Sequence, residues 1–147
     1  MKKIAFIAAL AASTFAVPSY AATEGYIDAR VGYAWAVGES ETIGLAAGYD
    51  FDVSSTVFLG AEAVATTNSS FGSPIIGANT RLGIRTSDTD KVFATVGYAY
   101  DTYDETDDSV LGAGYEHKFG KTAVNLQYQR GLSSEINIVF VGLGFKF

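Results

Sequence analysis

From Ala22 onward the sequence alternates apolar residues with polar or small ones, and no stretch keeps an apolar 3.6-residue period for long. Alternation of period two is the pattern of strands whose two faces meet different surroundings. It recurs in eight segments, 25–36, 42–53, 56–66, 76–86, 92–101, 109–119, 121–130 and 137–147, each ten to twelve residues long. Turn-type clusters separate them: Gly38 to Glu41, Ser54-Ser55, Thr66 to Pro74, Ser87 to Asp90, Thr102 to Asp108, Gly120, and Gly131 to Glu135. The connections are roughly alternately long and short. The sequence therefore predicts an all-β chain, an eight-stranded antiparallel up-and-down barrel.

The two faces of these segments differ in kind. One carries Ile27, Ala29, Val31, Tyr33 and Trp35, then Ile43, Leu45, Ala47, Tyr49 and Phe51, and continues so to Val139, Val141, Leu143, Phe145 and Phe147. It holds no Asp or Glu, and its His117 and Arg130 sit near strand ends. The other carries Asp28, Arg30, Asp50, Asp52, Glu62, Arg81, Arg85, Asp101, Glu116, Lys118 and Lys146, interleaved with glycine.

A soluble barrel points its apolar face inward; a membrane barrel reverses this. The aromatics decide between the two. With the first segment running upward, Tyr33, Trp35, Tyr98, Tyr100 and Tyr128 fall at the top. Tyr49, Phe51, Tyr115, Phe119, Phe145 and Phe147 fall lower. Ala, Val, Leu and Ile fill the space between. Two aromatic girdles around an aliphatic band suit the two lipid–water interfaces. Eleven residues at ~3.3 Å each, tilted by ~40–45°, rise roughly 26 Å, which matches an apolar band of ~25 Å. The membrane orientation is therefore expected, with the charged face lining the lumen.

The charge balance narrows the partners. With 10 Lys+Arg against 16 Asp+Glu, the chain lacks the basic patch that a nucleic-acid or anionic-membrane-surface binder needs. Without cysteine it has no disulfide framework and no thiolate metal site, and no cofactor is expected. At the N-terminus, Lys2 and Lys3 precede an apolar run from Ile4 to Val17, and Ser19-Tyr20-Ala21 places small residues at a cleavage site. This is the layout of a secretory signal peptide over 1–21. The run is shorter than the ~20 residues a membrane anchor needs. The expected barrel domain is 22–147, with eight basic residues against 16 acidic ones, a net charge of −8.

The last segment alternates Val139, Val141, Leu143, Phe145 and Phe147. It resembles the terminal signal of outer-membrane barrels that the barrel-assembly machinery recognises. Leu111-Gly112-Ala113-Gly114-Tyr115-Glu116-His117-Lys118-Phe119-Gly120, followed by Val124-Asn125-Leu126-Gln127-Tyr128, resembles the hairpin of strands six and seven in the small opacity-type barrels. Val96-Gly97-Tyr98-Ala99-Tyr100 suits strand five. That family is similar to the transmembrane domain of outer-membrane protein A and to the Ail/outer-membrane protein X group. The resemblance covers 22–147, with no peptidoglycan-binding domain expected after Phe147. It implies an exported protein of a Gram-negative cell outer membrane, whose partners are membrane lipid, lipopolysaccharide and the assembly machinery.

Three regions are candidates for function. The first is a lumen charge network of Asp28, Arg30, Glu62, Arg81, Arg85, Glu116 and Lys118. Arg30, Glu62 and Arg81 are expected near mid-height and the others lower. Buried charges must be paired, so a salt-bridged plug is expected, with a narrow ion path as the alternative. The second is an acidic loop with Asp104, Glu105, Asp107 and Asp108, in a rim that also holds Glu39, Glu41, Asp101 and Glu135 against Arg130 alone. Carboxylates at that density can gather hard cations, or simply stay solvated. The third is the apolar tip Phe71 to Ile76, expected to pack onto the barrel mouth or the membrane, with docking of an unidentified surface partner as the alternative. Asn68-Ser69-Ser70 matches a glycosylation sequon. No catalytic role is expected. The single histidine, His117, falls at the lower end of its strand, opposite to Ser109, whereas a Ser–His–acid site needs them together. The expected role is structural or envelope-interacting, with a minor porin second and a surface-binding module third.

Overall fold

A computed structural model describes residues 23–36, 38–68 and 74–147. The segment 1–21 expected to be a signal peptide lies outside the described residues, as do Ser69 and Ser70 of the sequon and Phe71 of the apolar tip. The strands are β1 Thr23–Trp35, β2 Ser40–Asp52, β3 Val57–Asn68, β4 Ile75–Arg85, β5 Asp90–Asp101, β6 Asp107–Phe119, β7 Thr122–Gly131 and β8 Asn137–Lys146. Each pairs antiparallel with its neighbours, and β1 pairs with β8 to close the sheet. The seam is completed at the last residue. Gly25 N donates to the Phe147 carbonyl at 2.8 Å, and Phe147 N donates to the Gly25 carbonyl at 2.9 Å. Closure leaves no strand edge with unpaired N–H and C=O groups, the condition for crossing hydrocarbon with strands.

An even number of strands brings Thr23 and Phe147 to one end, with the turns 53–56, 86–89 and 120–121. We call this the terminal end. The connections 36–39, 69–74, 102–106 and 132–136 form the loop end. The Gly120–Lys121 turn is the tightest, and Gly120 holds φ +64°, a backbone state that favours glycine.

The polarity is inverted relative to a soluble barrel. Outside, Val31, Leu45, Val96, Leu126 and Leu143 each remain more than half exposed. Inside, Asp28, Arg30, Asp50, Glu62, Arg81, Lys91, Glu116 and Lys146 are each 3% exposed or less. A continuous apolar band around a closed barrel is far larger than the patches a soluble monomer tolerates. The barrel is therefore transmembrane. Its girdles include an edge-on Tyr49–Phe147 pair at 6.2 Å near the terminal end and a Trp35–Tyr128 pair at 6.4 Å near the loop end.

Strand ends depart from the sequence segments by up to two residues, and the departures matter. At the terminal end, pairing continues past the last apolar residue into inward polar side chains that find partners in the lumen. Glu24 and Lys91 are therefore strand residues. Asp107 and Asp108 open β6, paired to Tyr100 and Ala99, rather than lying in the loop. Asp104 and Glu105 remain in the loop.

Candidate functional site

The lumen floor and middle hold one continuous ion-pair network. Arg30, on β1, lies between Gly44 of β2 and Gly142 of β8 in the pairing register. Two glycine neighbours leave its long side chain free to turn inward. It reaches Asp28 at 3.0 Å and makes a two-pronged contact with Glu62, through Oε1 at 3.1 Å and through Oε2. Glu62 also accepts from Tyr26 OH at 2.9 Å and from Asn79 Nδ2 at 3.0 Å. Asn125 Nδ2 donates to Asp28 at 2.9 Å. Gly144 faces Asp28 so closely that a Cβ there would stand 2.0 Å from the carboxylate. Glycine at that position is a condition of the buried acid.

Nearer the terminal end, Lys91 reaches Glu24 at 2.5 Å, Asp50 at 2.9 Å and Glu116 at 3.6 Å. Lys146 pairs with Glu116 at 2.7 Å, and Lys118 with Glu24. Glu24, Asp50 and Glu116 carry oxygens within 4.8 Å of one another, close enough to hold a cation. Three ammonium groups, of Lys91, Lys118 and Lys146, already supply that charge. Arg85 stands apart at the terminal mouth, where its partner is Asp52.

Arg81 links the two halves. Its guanidinium lies 3.9 Å from Asp50, 3.9 Å from Glu62 and 3.7 Å from Glu116. Its Nε and Nη2 make no hydrogen bond among the described residues. Rings hold it instead: Phe93 at 4.0 Å, Tyr26 at 4.8 Å and Phe58 at 5.9 Å from ring centre to guanidinium carbon. A desolvated guanidinium over aromatic faces gains cation–π energy of roughly 2 kcal/mol.

Of the residues singled out from sequence, Asp28, Arg30, Glu62, Arg81, Glu116 and Lys118 share this network, and Arg85 does not. Asp50 and Lys146 join it from the polar face recognised in the sequence. Glu24 and Lys91 were missed because they lie beyond the apolar runs. The inward aromatics Tyr26, Phe58, Phe93 and Phe140 were missed because charge and glycine alone were used to read that face. Strand parity was the available signal: Tyr26 alternates with Asp28 and Arg30, and Phe58 with Gly60 and Glu62.

The network is neutral. Five acids, Glu24, Asp28, Asp50, Glu62 and Glu116, meet five bases, Arg30, Arg81, Lys91, Lys118 and Lys146. The excess negative charge therefore lies elsewhere. The loop end carries eight acids, Glu39, Glu41, Asp101, Asp104, Glu105, Asp107, Asp108 and Glu135, against Arg130. The rim is tied together. Asp108 accepts from Ser133 N at 2.8 Å and Ser134 N at 3.1 Å, and Thr102 Oγ1 donates to the Pro74 carbonyl at 2.7 Å. At the terminal end, His117 Nδ1 lies 2.7 Å from Asp90, which also accepts from Ser87, Thr89 and Tyr115. Ser87 hydrogen-bonds the carboxylate, not the imidazole. Phe145 and Phe147 lie on the outer surface, each more than half exposed. Phe145 pairs in register with Ile27 of β1 and Thr122 of β7.

No protein-family model matches the chain, and no curated protein matches it in sequence. Solved structures do match. A de novo designed transmembrane β-barrel aligns with a TM-score of 0.65 at 20% identity, over 84% of this chain and 95% of the design. The outer-membrane enzyme PagL aligns at 0.61 and 18%, over 83% of this chain and 98% of its own. Ail of Yersinia pestis, an outer-membrane protein, aligns at 0.58 and 10%, over 86% of this chain and all of its own, 100%. At these identities the likeness is one of architecture, and the chain has the fold of the small eight-stranded outer-membrane barrels.

Proposed function

We propose that this chain is an outer-membrane protein with a structural and envelope-interacting role, its lumen closed by paired charges and its acidic loop end facing outward. One observation supports the reading: the ten network charges balance, and the three acids around Arg81 are buried with it. An eight-stranded barrel is wide enough for its own side chains and little more. The terminal end would face the periplasm, after export by the signal peptide and insertion by the barrel-assembly machinery through the Phe145 and Phe147 strand. Membrane lipid and lipopolysaccharide would surround the apolar band.

PagL shares the fold and is an enzyme, but we read no catalysis into His117. Its acidic partner is already engaged by Ser87, Thr89 and Tyr115, and the serine hydroxyl is directed to Asp90. A second reading, a narrow ion path, is favoured by one feature: Arg81 is held by three carboxylates without a hydrogen bond to any.

Planar-bilayer recording tests the two readings. The refolded chain is expected to give no discrete current steps, and Glu62→Gln and Arg81→Gln none that resemble a single pore. Steps in the native chain whose size changes in either variant would establish the ion path instead.

A further inference from the structure

We propose that the outer surface of β7, β8 and β1 is a binding site for one lipid with an anionic phosphate headgroup in the loop-side leaflet. The proposal rests on the membrane placement above. Two independent observations on the same three strands carry it.

The first is a groove. A shallow, open depression of about 290 Å³ lies on the outer surface at mid-height, between Val31, Val124, Val141 and Leu143. Ala29 creates it, because its methyl group stands in register with Leu143 where the neighbouring rows carry larger side chains. The backbone of Arg30 and Gly142 lies beneath, since the one side chain points inward and the other is absent. At this height on a transmembrane barrel, the available occupant is an acyl chain.

The second is the charge above it. Arg130 pairs with Asn137, and Asn137 with Trp35, so these residues form a row across the same strands at the loop end. Four residues of β8 separate Asn137 from Val141, about 13 Å along the strand. At the ~40–45° tilt of such strands this is roughly 10 Å of depth, within the ~15 Å of one hydrocarbon leaflet. Arg130 is the single base of the loop end among the described residues, and half of its side chain is exposed. Glu135 pairs with it at 3.8 Å, beyond hydrogen-bond length, so a phosphate at Arg130 competes with that carboxylate. The planar guanidinium offers paired N–H donors that match phosphate oxygens. Asn137 beside it is fixed by Tyr128 OH at 2.6 Å and by its own bond to the Glu135 carbonyl at 3.0 Å. A phosphate at Arg130 places its acyl chain over the groove.

Trp35 is the chain's sole tryptophan and lies in this row, so its fluorescence reports occupancy. The full chain is reconstituted in phosphatidylcholine bilayers containing either brominated phosphatidylcholine or brominated phosphatidylglycerol. The expected result is a relative association about two- to fivefold stronger for the anionic lipid, the size of an exposed ion pair. Arg130→Gln should abolish the preference and Arg130→Lys retain part of it. Ala29→Leu, which fills the groove and leaves the charge in place, should reduce it. Equal quenching by the two lipids, or a preference that survives Arg130→Gln, would overturn the site. Quenching by neither lipid would instead contradict the membrane placement on which the proposal rests.

Discussion

Glu62 joins more of the lumen than any other acid. Arg30, Arg81, Tyr26 and Asn79 all converge on it, and its side chain is fully buried. Ion pairs taken out of water gain little net stability, because desolvation offsets most of the attraction. Removing one partner is different, since it strands the opposite charge in a low-dielectric interior. Glu62→Gln should therefore cost about 3–5 kcal/mol, read from the urea midpoint of unfolding from lipid vesicles. Glu135→Gln, at an exposed surface pair, should shift the same midpoint by less than about 1 kcal/mol. Equal shifts for the two variants would mean that the lumen is hydrated and the network screened. The contrast also shows what residue identity alone could reveal. That Asp28, Arg30 and Glu62 would face inward was legible from strand parity. That Glu62 would gather four partners was not, because its partners come from β1 and β4 through a register no single strand encodes.

Strands and their connections were legible in unequal measure. Each of the eight alternating segments became a strand, because a barrel wall imposes period two on both of its faces. Their ends were less legible. Apolar residues mark the hydrocarbon band, while hydrogen bonding runs on into polar rows such as Glu24 and Lys91. The loops β5–β6 and β7–β8 are alike in a way that the sequence hides. Asp101 N bonds the Thr106 carbonyl and Gly131 N the Ile136 carbonyl, each at 2.8 Å. Each loop places a glutamate in the left-handed region, Glu105 at φ 54° and Glu135 at φ 57°. A side chain there costs roughly 1–2 kcal/mol. Glu105→Gly should therefore stabilise the barrel, by about 1 kcal/mol in the same unfolding assay. A loss of stability would mean that the Glu105 side chain makes contacts that outweigh the backbone strain.

On the scale of the whole molecule, charge is sorted by place. The lumen network is neutral and paired, the outer band is uncharged, the loop rim holds eight acids against one base, and the terminal turns with the strand ends beside them hold Asp52, Asp88 and Asp90 against Arg85 and Lys121. The net charge of −6 for the full sequence suggested an acidic protein but not where the acid lay. Composition sums over positions, whereas the barrel sorts them by parity and height. The polar side chains, which in a soluble barrel would meet water, form the interior, and the apolar ones meet lipid. Closure through β1 and β8 makes this arrangement a single cooperative unit, with every strand paired on both sides. Such a wall should resist detergent until it is unfolded as a whole.

Electrophoresis of the refolded chain in detergent, with and without boiling, addresses that inversion most directly. A closed barrel with its apolar band outside should survive cold SDS and migrate differently from the boiled chain. Circular dichroism should show strand-rich structure before heating and its loss afterwards. Identical mobility in both lanes, together with solubility after detergent is removed, would contradict the account, because it would place the apolar face inside and the charges in water.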